Sequence, residues 1–111
     1  MSESEFLELA AATLDAIEAG LEQAIESSDI DIECSRSGNV LDIEFIDGGT
    51  HIIVNSQAAM QEMWVAAKSG GFHYRRVEGQ WRNTRDGSEL FSALSDMASS
   101  QAGQALKLVV A

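Results

Sequence analysis

Apolar residues recur three and four positions apart through the first part of the chain. Phe6, Leu9, Ala10, Leu14, Ile17, Leu21 and Ile25 make one stripe at helical spacing. The stripe predicts a helix from about Ser4 to Ser27, with Ser4 as N-cap and Glu5 and Glu8 at the positive end of the dipole. From Asp29 the period changes to two. Ile30, Ile32 and Cys34 point one way, and Asp29, Asp31 and Glu33 the other. After Ser37, Gly38 and Asn39, a second strand alternates Leu41, Ile43 and Phe45 with Asp42, Glu44 and Ile46. Further strands are predicted at Thr50 to Asn55, Met60 to Ala67, Phe72 to Val77 and Trp81 to Arg85, each bounded by a glycine or polar turn. A second helix is predicted to start near Asp86 or Ser88. It carries Leu90, Phe91, Leu94, Met97 and Ala98 on its apolar face and stops at Gly103. The apolar tail, Ala105 to Ala111, is expected to pack against something.

Two amphipathic helices bracketing one antiparallel meander predict an α+β fold. It is a two-layer α/β sandwich with a sheet of about six strands and both helices on one face. The other face must meet water or a partner. A chain of 111 residues without proline, linker or repeat is expected to form one domain, 1–111.

Charge changes this picture more than composition does. Seven Lys and Arg stand against eighteen Asp and Glu, for a formal net charge of −11. Such a field repels nucleic acid and anionic membranes, and attracts cations and basic protein surfaces. No apolar run approaches the ~20 residues of a membrane span, no targeting segment is evident, and a lone Cys34 implies no disulfide. A cytoplasmic protein is expected. On the first helix Glu8, Asp15, Glu22 and Glu26 fall within about 40° of one another, with Glu18 beside them. Asp29, Asp31 and Glu33 extend that ridge onto the first strand. Carboxylates three and four apart on a helix, or alternating on a strand, can share a hard cation such as Mg, Ca, Mn or iron. The bland alternative is a solvated helix face. Against it, like charges at helical spacing cost a few tenths of a kcal/mol per pair, and the face contains no lysine.

The remaining candidates are weaker. His51 and His73 each lack a second histidine at ligand spacing and read as structural or surface residues. Cys34 reads as a buried, inert thiol. Trp64 alternates with Met63 and Val65, which puts it on the open sheet face if those two face the helices. There it is either an interface anchor or half-buried among its neighbours. No nucleophile elbow, phosphate loop or dinucleotide motif is present, so no enzymatic activity is expected.

Asn55-Ser56-Gln57, then Met63-Trp64-Val65-Ala66, then Ser69-Gly70-Gly71-Phe72-His73-Tyr74 resemble the signature of the frataxin family, in its bacterial CyaY branch. Ser4-Glu5-Phe6, Asp29-Ile30-Asp31 and Gln101-Ala102-Gly103 agree with it, so the resemblance covers essentially the whole chain. It implies weakly bound iron, ferrous or ferric, with Glu18, Glu22, Asp29, Asp31 and Glu33 as ligands. It implies a role in iron–sulfur cluster assembly, with a cysteine desulfurase docked at Glu18 and Glu22 and an iron–sulfur scaffold protein met by Trp64. A monomer is expected without metal. The alternatives are an acidic interaction module without a metal, and a ferroxidase-type protein. Ala58 and Ala59 stand where many members have proline, Leu7 replaces an early histidine, and the acidic run is thinner than in denser members.

Overall fold

The computed structural model describes residues 1–108. Its first helix, α1 (Glu3–Glu26), begins ahead of the predicted cap. Ser2, not Ser4, is the N-cap. Its hydroxyl accepts the Glu5 N–H at 3.1 Å, and the Glu5 carboxylate accepts the Ser2 N–H at 3.2 Å. The reciprocal pair satisfies two donors, which Ser4 with Leu7 three positions on could not do. The buried stripe also differs from the prediction. Thr13, Gly20 and Ala24 are buried at its centre, and Leu9 and Ile25 sit half-buried at its margins.

Six strands follow: β1 (Ile32–Ser37), β2 (Val40–Phe45), β3 (Thr50–Gln57), β4 (Glu62–Ala67), β5 (Gly70–Val77) and β6 (Gln80–Asn83). They pair in chain order, every pair antiparallel, as the expected meander. The β5–β6 turn places Glu78 and Gly79 at φ +50° and +81°. Two successive left-handed residues match the twist of a two-residue hairpin. Register sorts the side chains into two faces. Ile32, Leu41, Ile43, Phe45, Ile52, Val54, Met63, Val65, Tyr74 and Trp81 are buried on one. Asn55, Trp64 and His73 lie side by side on the other.

Three predicted boundaries are corrected. Asp29 and Asp31 precede β1 and do not belong to it; the Asp31 carbonyl accepts the Ile46 N–H at 3.1 Å and closes the connection. The fourth strand starts at Glu62, because residues 58–61 form a turn with Gln61 at φ +51°. The second helix, α2 (Leu90–Ala102), starts after Asp86 and Ser88. Asp86 is occupied in its own turn by the Ser88 N–H and hydroxyl, so Glu89 caps the helix by accepting from Phe91 N–H at 2.7 Å and Ser92 N–H at 3.1 Å. Gly103 ends α2 in the left-handed conformation, as its position predicts.

Both helices bury their apolar stripes in one cluster with the covered sheet face. Each fully buried aliphatic or aromatic side chain there contributes about 1.5–3 kcal/mol. The described part of the tail joins the cluster through Leu106 and Leu108. Two α2 hydroxyls hold its backbone: Ser99 exchanges hydrogen bonds with Leu106, and Ser95 accepts from Leu108 N–H at 3.0 Å. Residues 109–111 of the predicted tail lie outside the described residues.

A buried side-chain contact joins the first helix to the last strand. Trp81 of β6 packs edge-on to Phe6 of α1, centroids 6.0 Å apart. Its indole N–H donates to the Thr13 hydroxyl at 2.9 Å, and that hydroxyl donates to the Leu9 carbonyl at 2.8 Å. Thr13→Val keeps the volume but leaves a buried indole N–H without an acceptor. The expected cost is about 1–3 kcal/mol in urea-unfolding stability, and an unchanged midpoint would show that water replaces the hydroxyl.

Candidate functional site

The acidic ridge follows one edge of the molecule. α1 crosses the covered face, approaching β3 most closely, and Asp15, Glu18 and Glu22 reach towards the edge strand β1. Glu18 is half-exposed and Glu22 exposed on α1, and both carboxylates face the Cys34 thiol on the covered side of β1. Asp29 and Asp31 are exposed in the connection between the two elements. Glu33 projects from the opposite, open face of β1, paired in register with Glu44. The ridge therefore wraps around the sheet edge. Among the described residues, no three His, Cys, Asp or Glu side chains converge where one metal ion would sit.

Counter-charges divide these acids into two groups. Asp15, on the same helix face, is bound by Arg36 of β1 at 2.6 Å. Arg36 is the only Lys or Arg in the first 67 residues. The relief of like charge thus comes from a strand, which helical spacing alone does not reveal. Glu18, Glu22, Asp29, Asp31 and Glu33 have no ion pair and no side-chain hydrogen bond among the described residues. They remain open to a cation or to a basic surface.

Cys34 is half-buried, less than its alternation predicts. Burial and, after it, the charges of Glu18, Glu22 and Asp42 push its thiol up to about 11. A thiol held so high is almost wholly protonated at neutral pH and a poor nucleophile or metal ligand.

The open face carries two further groupings. His51 of β3 sits between two carboxylates of β2. Its Nδ1 is 2.8 Å from Asp42 and its Nε2 3.9 Å from Glu44. Trp64 is half-buried and stacked on His73 of β5, with centroids 4.3 Å apart and planes 6° from parallel. Its indole N–H donates to Glu62 at 2.9 Å. Trp64 thus lies on the open face, half-buried among its neighbours. Glu62, Asp42 and Glu44 escaped the sequence reading as site residues. The available signal was strand parity, since each lies on the same face as the ring it contacts.

A family profile described as a frataxin-like domain matches residues 1–104. The chain belongs to the frataxin family. It is 68% identical over 103 residues to the iron–sulfur cluster assembly protein CyaY of Janthinobacterium sp. (strain Marseille), covering 93% of this chain and 92% of that relative. It is 58% identical over 108 residues to the CyaY protein of Cupriavidus necator, covering 97% and 96%. Among solved structures, the frataxin of Psychromonas ingrahamii aligns at a TM-score of 0.80 with 30% identity, covering 98% of this chain and 99% of that one. A trimeric yeast frataxin in a ferrous complex aligns at 0.74 with 24% identity, covering 86% of each chain, which shows the shared fold.

In this frataxin-family chain the clearest titrating group on the open face is His51. The hydrogen bond that His51 Nδ1 donates to Asp42 raises its pKa above the ordinary value; slight burial opposes this, and the charges of Asp42 and Glu44 add to it. A raised value means that His51 stabilises the fold below the unfolded histidine pKa of about 6.5, and that this contribution disappears as pH rises through the folded value. An NMR titration should give His51 a midpoint above that of an unfolded histidine, and Asp42→Asn should lower it. A midpoint unmoved by Asp42→Asn would mean the contact does not persist in solution.

Proposed function

We propose that this protein serves iron–sulfur cluster assembly by binding, not by catalysis. The ridge of Glu18, Glu22, Asp29, Asp31 and Glu33 takes up iron as a cargo ion, and Glu18 and Glu22 also dock a cysteine desulfurase. Trp64 on the open face meets the scaffold protein. The observation that carries this reading is that Glu18, Glu22, Asp29, Asp31 and Glu33 stand together at one sheet edge without a counter-charge among the described residues, while Asp15 beside them is paired with Arg36. Membership of a family whose bacterial relatives are named iron–sulfur cluster assembly proteins supplies the process.

The donor chemistry fits iron as a transient guest. The ligands are hard oxygens spread around an edge, with no thiolate or histidine pair among them. Sites of this kind leave much of the ion's water in place and bind at micromolar affinity or weaker, about −8 kcal/mol or less. A monomer working in the cytoplasm accords with this role. Among the described residues no helix is long and apolar enough to cross a membrane.

That no three ligating side chains converge among the described residues favours a second reading. In it, the carboxylates touch only the basic protein partner, and iron is incidental. Both readings share the docking step, which depends on charge. Glu18→Lys with Glu22→Lys should abolish most desulfurase binding, measured by calorimetry, and raised salt should imitate the substitutions. Trp64→Ala should leave the desulfurase contact intact and weaken ternary assembly with the scaffold protein. Desulfurase binding indifferent to both salt and charge reversal would exclude docking through the ridge.

A further inference from the structure

Glu62 differs from every ridge carboxylate: it is buried on the sheet face that the helices leave open. Its side chain is 4% exposed, although its register partners Gln57 and Arg75 and its strand neighbour Trp64 belong to that open face. Taking a carboxylate out of water is costly unless both oxygens are satisfied. Here both are. Oε1 accepts the Trp64 indole N–H at 2.9 Å and lies 3.4 Å from His73 Nδ1. Oε2 accepts the Arg75 Nε–H at 2.7 Å.

The same contacts keep the group ionised. Burial is the largest influence and pushes the carboxyl pKa up. The hydrogen bonds from Trp64 and Arg75 and the charges of Arg75 and His73 outweigh it and hold the value below the ordinary one. Glu62 is therefore an anion at neutral pH, and hydrogen bonds to an anion are shorter and stronger than neutral ones. The indole has a single polar atom, and that atom is taken by Glu62. The ring face rests on His73 from the neighbouring strand. Together they restrain an otherwise rotatable side chain from two directions.

We propose that Glu62 is a positioning residue that pins the Trp64 indole flat against His73, so that a preformed aromatic surface meets the scaffold protein. The proposal rests on the Trp64 contact argued above. Its physical basis is preorganisation: a ring already in its bound orientation does not have to be ordered on docking.

Two measurements test it. The first uses the free protein. Trp64→Ala identifies the Trp64 indole N–H signal, since the only other tryptophan is Trp81. Glu62→Ala should shift and broaden that signal and speed its exchange with solvent. Glu62→Gln keeps an acceptor oxygen and should restore most of its protection, while the Trp81 signal reports that the core is intact. The second measurement adds the scaffold protein. Glu62→Ala should weaken its binding roughly 2- to 10-fold, the range expected for ordering one large side chain. Combined with Trp64→Ala, it should cost nothing further, because the two residues act as one unit. An indole signal unmoved in Glu62→Ala, or a double variant weakened by the full Glu62 effect beyond Trp64→Ala, would overturn the proposal. If Trp64→Ala itself leaves scaffold binding unchanged, the docking reading fails, and the proposed role of Glu62 in docking falls with it. The indole signal still judges the clamp separately.

Discussion

A six-stranded sheet has two faces, and the two helices of this chain cover one. Everything else follows from that asymmetry. The covered face collects the apolar stripes of α1, α2 and the tail around Trp81, Phe6 and Tyr74. Closing that layer joins the first helix to the last strand through the Trp81–Thr13 hydrogen bond, between residues 68 positions apart. α1 crosses the covered face by way of β3, and its acidic side reaches the edge strand β1 at Arg36 and Cys34. The acidic ridge is the product of that placement. The opposite sheet face has no layer above it, so its polar side chains satisfy one another across strands.

The two surfaces handle charge in opposite ways. On the open face, carboxylates are consumed locally: Asp42 and Glu44 by His51, Glu62 by Trp64, Arg75 and His73. At the ridge, Arg36 pairs with Asp15, and Glu18, Glu22, Asp29, Asp31 and Glu33 are among the acids left without partners in the described residues. A field of that kind acts over about a Debye length, 8–10 Å at ordinary salt, and draws cations and basic proteins towards one edge. The open face instead offers shape. Its Trp64 and His73 rings stack into a flat element. Under the proposed function, one partner is steered to the acidic edge and another meets the open face, through different residues.

Periodicity made the architecture legible. Alternation from Ile30 onward assigned the strands and the meander, and the helical stripe assigned the layer. Boundaries were less legible where side-chain hydrogen bonds decide them. Ser2 rather than Ser4 caps α1 because only Ser2 has a glutamate three residues on. Glu89 caps α2 because Asp86 is already used by Ser88. Thr13 reads as polar in sequence, yet it is buried because the Trp81 indole needs an acceptor there. The ridge was visible as a run of acids, but its internal division was not. Pairing of Asp15 with Arg36 depends on a β1 side chain reaching α1, a tertiary fact. Glu62 is the strongest case: its burial comes from neighbours on two strands, and its own segment reads only as part of an apolar run.

The central claim is that the unpaired acids of the α1–β1 edge are where iron is met, and residue-resolved NMR under anaerobic conditions tests it most directly. Substoichiometric ferrous iron broadens signals according to their distance from the bound ion. The account predicts that broadening begins at Glu18, Glu22, Asp29, Asp31 and Glu33, at several of these positions together, and is reversed by a weak chelator. Broadening that begins instead at His51, Asp42 and Glu44, or at His73, would move the metal to the open face and contradict the account.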